Sequence, residues 1–238
     1  MDNKVPMMRR YAIILIAGQS QRFGTGDKCL SLIHGKPVAL YAFETFRRTN
    51  IFDRYFFVYR DDLQKQALEK FFQNYYPAAV LSPITWVPGG EERVFSVYHA
   101  LQVIYKQFSM EAFVFIHDGA RPLITPDNIH ALNASLSLER GVVLAHRVTD
   151  TIMATDAPGD STKNQRHYLE REKLWALETP QAFYFPTIFE DYKTVGHPTD
   201  DSSLFSGTIK ILENKNLNLK ITAPRDLELV QSKLPILT

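Results

Sequence analysis

The chain has 238 residues, 45% apolar and 22% charged, a composition that excludes disordered and collagen-like chains and supports one sizeable core. Its 27 Lys and Arg against 26 Asp and Glu leave a net charge of +1, so no global field draws it to nucleic acid and an anionic ligand must be met locally. The single cysteine, Cys29, excludes an intrachain disulfide and the usual zinc spacings.

Cysteine usage predicts a cytoplasmic setting. No apolar run reaches the ~20 residues of a membrane span, so no membrane partner is expected. Lys4, Arg9 and Arg10 ahead of the apolar residues 12–17 imitate a secretory leader. That stretch is short, lacks a small-residue cleavage site and runs into polar GQSQRFGTGDK, so it reads as a buried first strand.

In chain order, a strand over 11–17 precedes a glycine-rich polar loop and a helix over 38–48 with Leu40, Ala42, Phe43 and Phe46 apolar. A strand over 55–59 follows, then a helix over 61–75 that Asp61 or Asp62 caps, and an extended segment over 79–87. The helix over 91–108 carries Val94, Val97, Leu101, Ile104 and Phe108 on one face and leads into an apolar strand over 112–116. A helix from Pro126 and Asp127 and a β-rich run over 141–148 come next.

Between 150 and 186 the alternation fails: DAPGDS, NQRH and LEREKLW show no helical stripe. This reads as a protruding β-arm. The pattern resumes with a helix over 187–195, strands over 208–212 and 217–221, and a helix over 224–234, with Thr222 as cap and Pro224 in the first turn. Apolar strands separated by amphipathic helices predict a Rossmann-like α/β fold, a mostly parallel sheet with helices on both faces. At about 150 residues per domain, residues 1–238 read as one domain, with 150–183 as the arm.

Ligands of open parallel sheets bind beyond the carboxyl ends of the strands. Segments 18–28, 89–96, 117–122 and 199–201 lie there or close by. In the first, Gly18 and its neighbours let backbone N–H groups close on a phosphate, and Arg22 and Lys28 add charge. The loop lacks both G-K-[ST] and a dinucleotide fingerprint, which excludes a nicotinamide reductase; its other reading is a surface loop with solvated charges.

Asp118 ends an apolar strand, either as a turn residue or as a ligand of Mg²⁺, which takes one or two carboxylates plus phosphate oxygens. Arg121, before Pro122, offers a fork to a phosphate or to a carboxylate. Gly89 and Gly90 let backbone lie against a nucleobase, with Ser96 to hydrogen-bond base or ribose, or they form an ordinary turn. Arg93 is open to a structural reading, and Asp200 and Asp201 to one as caps. Lys220, inside apolar NLKIT, calls for an anion or a sheet edge. The seven histidines show no paired metal spacing, and Cys29 has no recognisable base partner.

The first loop (Ala17, Gly18, Arg22, Lys28) resembles the A-G-G-x-G-x-R loop, with a later lysine, of nucleotidyltransferases that make activated sugar and polyol phosphates. The ordered set GGEERVFSV (89–97), HDGARP (117–122), DTI (150–152), REKLW (171–175), TPQAF (179–183), TDD (199–201) and NLKIT (218–222) resembles the 2-C-methyl-D-erythritol 4-phosphate cytidylyltransferase family. The resemblance runs over 11–234. It implies attack of the polyol phosphate on the α-phosphorus of CTP with loss of pyrophosphate, helped by Mg²⁺.

It further implies that Arg22, Lys28 and Lys220 are catalytic, and that Ala17, Gly18, Gly89, Gly90, Ser96 and Asp118 bind CTP, Asp118 also holding the metal. Arg121, Thr151, Arg171, Thr179 and Thr199 then bind the polyol phosphate. The chain is expected to form a homodimer through interlocked arms, with Thr151, Arg171 and Thr179 reaching the other subunit's site. Asp27, Cys29-Leu30, Gly119 and Met153 depart from the family pattern of Pro, Gln-Tyr, Ala and Lys. The alternatives are a ribitol-5-phosphate cytidylyltransferase and, from another class, a non-catalytic nucleotide-binding module, which gives no reason for Lys220 or TDD.

Overall fold

The computed structural model describes residues 8–19, 23–24, 26–156, 166–194 and 200–235. Strand β1 (Arg9–Leu15) is followed by a small hairpin of β2 (Leu32–Ile33) and β3 (Lys36–Pro37), then by α1 (Val38–Arg48), β4 (Arg54–Tyr59) and α2 (Asp62–Tyr75). Next come a short α3 (Ala78–Leu81), β5 (Ile84–Pro88), α4 (Arg93–Gln107), β6 (Ala112–Asp118), α5 (Pro126–Ser135) and β7 (Arg140–Arg147). A second hairpin, β8 (Met153–Thr155) and β9 (Arg166–Tyr168), precedes β10 (Trp175–Tyr184), α6 (Phe185–Thr194), β11 (Thr208–Glu213) and α7 (Pro224–Gln231).

Seven strands form one sheet in the order β11-β7-β10-β6-β1-β4-β5. Every neighbouring pair is parallel except the two made by β10, which runs antiparallel to both β6 and β7. The expected mostly parallel α/β sheet is therefore present. Side chains alternate across β1: Ala12 and Ile14 belong to one buried core with residues of α1, α2, α5 and α7, while Tyr11, Ile13 and Leu15 belong to a second with residues of α4 and α6. Continuous apolar strands are what such two-sided coverage requires.

Local chemistry sets the helix starts. Asp61 caps α2 by accepting from Gln64 N at 2.8 Å, and Thr125 caps α5 with Pro126 in its first turn. At α7 the expected Thr222 cap is replaced. Ala223 holds the cap position, and the Asp226 carboxylate reaches back to Thr222 N and Ala223 N, both at 2.8 Å.

Three other expectations change. Residues 79–87 are not extended throughout, because α3 takes the first part and β5 begins at Ile84. Residues 217–221 are not a strand but an irregular strap, tied by Ile221 N to Ala120 O at 2.8 Å. Within the arm expected over 150–183, the described residues from Trp175 form the internal strand β10, and β8 and β9 pair as a separate two-stranded sheet.

Candidate active site

The carboxyl ends of β1, β5 and β6 open into a cleft lined by Ala17, Gly18, Lys28, Ser96, Asp118 and Lys220 among others, the place where ligands of such sheets bind. Asp118, the last residue of β6, is 7% exposed. Its Oδ1 lies 3.3 Å from Arg93 Nε, and its Oδ2 lies 3.0 Å from Lys220 Nζ and 3.5 Å from Arg121 Nε. Burial opposes ionisation of this carboxyl, but the charges of Arg93, Lys220 and Arg121 outweigh it and hold the pKa well below the usual carboxylate range. One anion thus gathers three cations.

The two arginines are also held from behind. Arg93 makes a bidentate pair with Asp201 at 2.9 and 2.7 Å, and buried Tyr192 donates its hydroxyl to the same carboxylate. Arg121 Nη1 donates to Asn218 O at 2.8 Å. Asp118 N–H donates to Thr179 Oγ1 at 3.0 Å, and Thr179 Oγ1 lies 3.2 Å from His117 Nδ1. His117 Nε2 lies 3.1 Å from Arg121 O. A carbonyl can only accept, so Nε2 carries the imidazole proton and Nδ1 accepts the threonine hydroxyl. Burial pushes the His117 pKa down to about 4 against the pull of Asp118, which keeps the ring neutral in this arrangement.

On the other wall, Gly89 N donates to Tyr59 O at 2.7 Å, and Ser96 Oγ accepts from Gly90 N at 3.1 Å. A Cβ on Gly89 would lie 2.6 Å from Ala17 Cβ, so the glycine lets the segment that follows β5 approach the one that follows β1. Gly119 packs as closely, with Ile16 Cγ2 2.6 Å from where a Cβ would stand. That explains why glycine suits this chain where the family pattern has alanine. Asp27 rebuilds the loop turn by accepting from Cys29 N at 2.8 Å and Gln64 Nε2 at 2.7 Å while pairing with Arg60 at 3.1 Å. Cys29 itself is buried, and burial raises its pKa to about 12.

The fold therefore brings Ala17, Gly18, Lys28, Gly89, Gly90, Ser96, Asp118, Arg121 and Lys220 together. Arg22 and Thr199 lie outside the described residues. Thr151 and Arg171 are exposed beside the arm and do not line the cleft; Arg171 Nη1 donates to Thr149 O at 3.2 Å. Thr179 is turned inward, its hydroxyl engaged by Asp118 and His117. Sequence reading left Arg93 and Asp201 open one by one without pairing them, and it missed Gln181, whose amide donates to Asp200 at 2.7 Å and accepts from Ser202 N at 3.1 Å. Only the TPQAF and TDD motifs, taken together, hinted at that contact.

A glycine loop and a cation cluster at the strand ends of a Rossmann-like sheet define an α/β enzyme that handles phosphorylated ligands. Residues 11–235 match the family 2-C-methyl-D-erythritol 4-phosphate cytidylyltransferase. Relatives of that name from Caldanaerobacter subterraneus subsp. tengcongensis (32% identical, 91% of this chain and 94% of that one) and Dictyoglomus thermophilum (33% identical, 93% and 94%) cover nearly the full length. The crystal structure of the Francisella tularensis 2-C-methyl-D-erythritol 4-phosphate cytidylyltransferase is similar at a TM-score of 0.74 and 28% identity, over 95% of this chain and 100% of that one. The chain belongs to the 2-C-methyl-D-erythritol 4-phosphate cytidylyltransferase family. Among the described residues no helix is long and apolar enough to cross a membrane.

Proposed function

We propose that this enzyme converts CTP and 2-C-methyl-D-erythritol 4-phosphate to the CDP-alcohol and pyrophosphate, with Lys28, Lys220 and Arg22 neutralising charge at the α-phosphorus and on the leaving group. The three cations gathered on Asp118 at the mouth of the cleft carry this reading. The attacking group is a phosphate monoester, already an anion, so positioning and charge stabilisation suffice and no covalent intermediate is needed. Neutral His117, hydrogen-bonded on both nitrogens, is no general base, and buried Cys29 is no nucleophile. Gly89, Gly90 and Ser96 face the cytosine and ribose, while Ala17 and Gly18 bring backbone to the phosphates. Arg121 meets the polyol phosphate.

The residues present do not fit a metal held by the protein on Asp118. Both of its oxygens already face cations, so a divalent ion would have to displace one of them against the local charge. No three His, Cys, Asp or Glu side chains cluster as a metal site among the described residues. Asp118 is instead the counter-ion that holds Arg93, Arg121 and Lys220 in place.

The arm supports a homodimer. Met153, Tyr168, Leu169 and Leu177 are exposed apolar residues on and beside one excursion, and a second copy of the chain would cover them. Thr151 and Arg171, away from their own cleft, would then serve the partner's polyol phosphate.

Pyrophosphate release measured with CTP, UTP, ATP and GTP against methylerythritol phosphate and ribitol phosphate tests the substrate assignment. Turnover is expected with CTP and methylerythritol phosphate. Faster turnover with ribitol phosphate would replace the polyol assignment.

A further inference from the structure

Glu178 is a buried ionisable side chain, 4% exposed, that the transfer reaction does not use. It lies where the β10 ladder shifts register between Leu177 and Gln181, an irregularity of the kind that re-aims side chains beside active sites. Its Oε2 accepts from Asn214 Nδ2 at 2.8 Å and from Asn218 Nδ2 at 3.0 Å. Its Oε1 accepts from His146 Nδ1 at 2.7 Å. Asn218 Nδ2 also donates to Thr179 O at 2.9 Å, and Asn218 O accepts from Arg121 Nη1 at 2.8 Å.

Lys220 stands two residues beyond Asn218, on a strap that is neither helix nor strand. Such a segment has no backbone ladder to set where its side chains point. The Glu178 carboxylate fastens it at two asparagines upstream of the lysine, and Ile221 N fastens it to Ala120 O just downstream.

We infer that Glu178 is a positioning residue of nucleotidyl transfer: through Asn218 it fixes the strap that aims Lys220 and the carbonyl that orients Arg121. It touches no substrate itself, and the inference rests on the role given to Lys220 above. Removing the carboxylate takes one of two acceptors from the buried Asn218 amide and the acceptor from that of Asn214, and the segment between them shifts to find another.

The test is a double-mutant cycle. Glu178→Leu should lower kcat by about 10²-fold while KM for CTP stays within about twofold, the signature of a misplaced group and not of a lost binding contact. Glu178→Gln can turn its amide oxygen to both asparagines and its NH₂ to His146, and should restore most of the rate. Glu178→Asp keeps the charge but falls short of the asparagines; it should also be slow, and it replaces Glu178→Leu where that variant does not fold.

In a Lys220→Ala background Glu178→Leu should cost little more, because both changes remove the same group's action. Independent, additive losses would overturn the positioning role. So would parent kcat in folded Glu178→Leu or Glu178→Asp protein beside an impaired Lys220→Ala. Parent kcat in Lys220→Ala would overturn the reading of Lys220, and the inference with it.

Discussion

The end of β6 and the β8–β9 hairpin differ in how much of their chemistry one chain completes. At the end of β6, His117 and Asp118 are buried and their polar groups meet Thr179, Arg93, Arg121 and Lys220. On the hairpin, Met153 is 45% and Tyr168 66% exposed, and among the described residues β8 pairs only with β9. The charges of the first region meet partners within the chain, so the cost of ordering them is met on folding. The second presents apolar surface that folding leaves uncovered. A site of the first kind is judged by its internal couplings, one of the second by its concentration dependence.

The largest effect comes from breaking the charge cluster. Lys28→Ala and Lys220→Ala should each lower kcat by roughly 10²–10³-fold, the range for removing one preorganised charge-stabilising donor, with CTP affinity falling less. Arg22→Ala is expected to behave alike. Steady-state kinetics of pyrophosphate release checks this, and near-parent kcat in all three would return the glycine loop to a surface role.

The completeness of the β6 end also predicts an acid sensitivity. Burial holds the His117 pKa near 4 in the folded chain, against about 6.5 when unfolded. Below 6.5 the unfolded state takes up a proton that the folded state refuses, so stability is full above pH 6.5 and is lost as pH falls toward 4. The shift from 6.5 to about 4 amounts to on the order of 3 kcal/mol. His117→Asn keeps an acceptor for Thr179 and removes the titration. Its urea midpoint should therefore drop less between pH 7 and pH 4.5 than the parent's, and an equal drop would assign the acid sensitivity to other groups.

Asp118→Asn separates counter-ion from metal ligand. As counter-ion, its loss loosens three cations and should cost roughly tenfold or more in kcat, with the Mg²⁺ concentration for half-maximal rate unmoved. A Mg²⁺ titration displaced to higher concentration would restore the metal-ligand reading.

How much of this was legible in the sequence depended on whether the signal was local. Strands such as β1 and β6 are continuous apolar runs, and helices such as α1 and α4 repeat their apolar residues at helical spacing, so their places could be read directly. The strap over 217–221 looked like a strand because Leu217, Leu219 and Ile221 alternate, but its backbone is tied through Asn218 and Ala120 and not through a ladder. β10 was read with the arm because DAPGDS, NQRH and LEREKLW ahead of it break the alternation. Glu178, Thr179 and Gln181 face segments up to 62 positions away in sequence, as Thr179 does His117. The Arg93–Asp201 pair spans 108 positions, and no periodicity carries a contact at that distance.

The arm supplies the last and smallest effect, and it separates the two regions most directly. Were the chain complete alone, Arg171 would act on its own cleft; instead it is exposed, and its guanidinium contacts Thr149 O and Glu172. In a two-fold dimer each site would combine Lys28 of one chain with Arg171 of the other. Mixing Lys28→Ala and Arg171→Ala chains after reversible dissociation makes about half the dimers mixed, each with one intact and one doubly damaged site, by the arithmetic of isologous pairs. About a quarter of all sites should then regain parent activity from two impaired variants, a recovery that disappears on dilution below the dimer dissociation constant. Mixed dimers confirmed by mass but still inactive would mean that Arg171 does not serve the partner's site, and the exposed apolar face of the hairpin would then need another explanation.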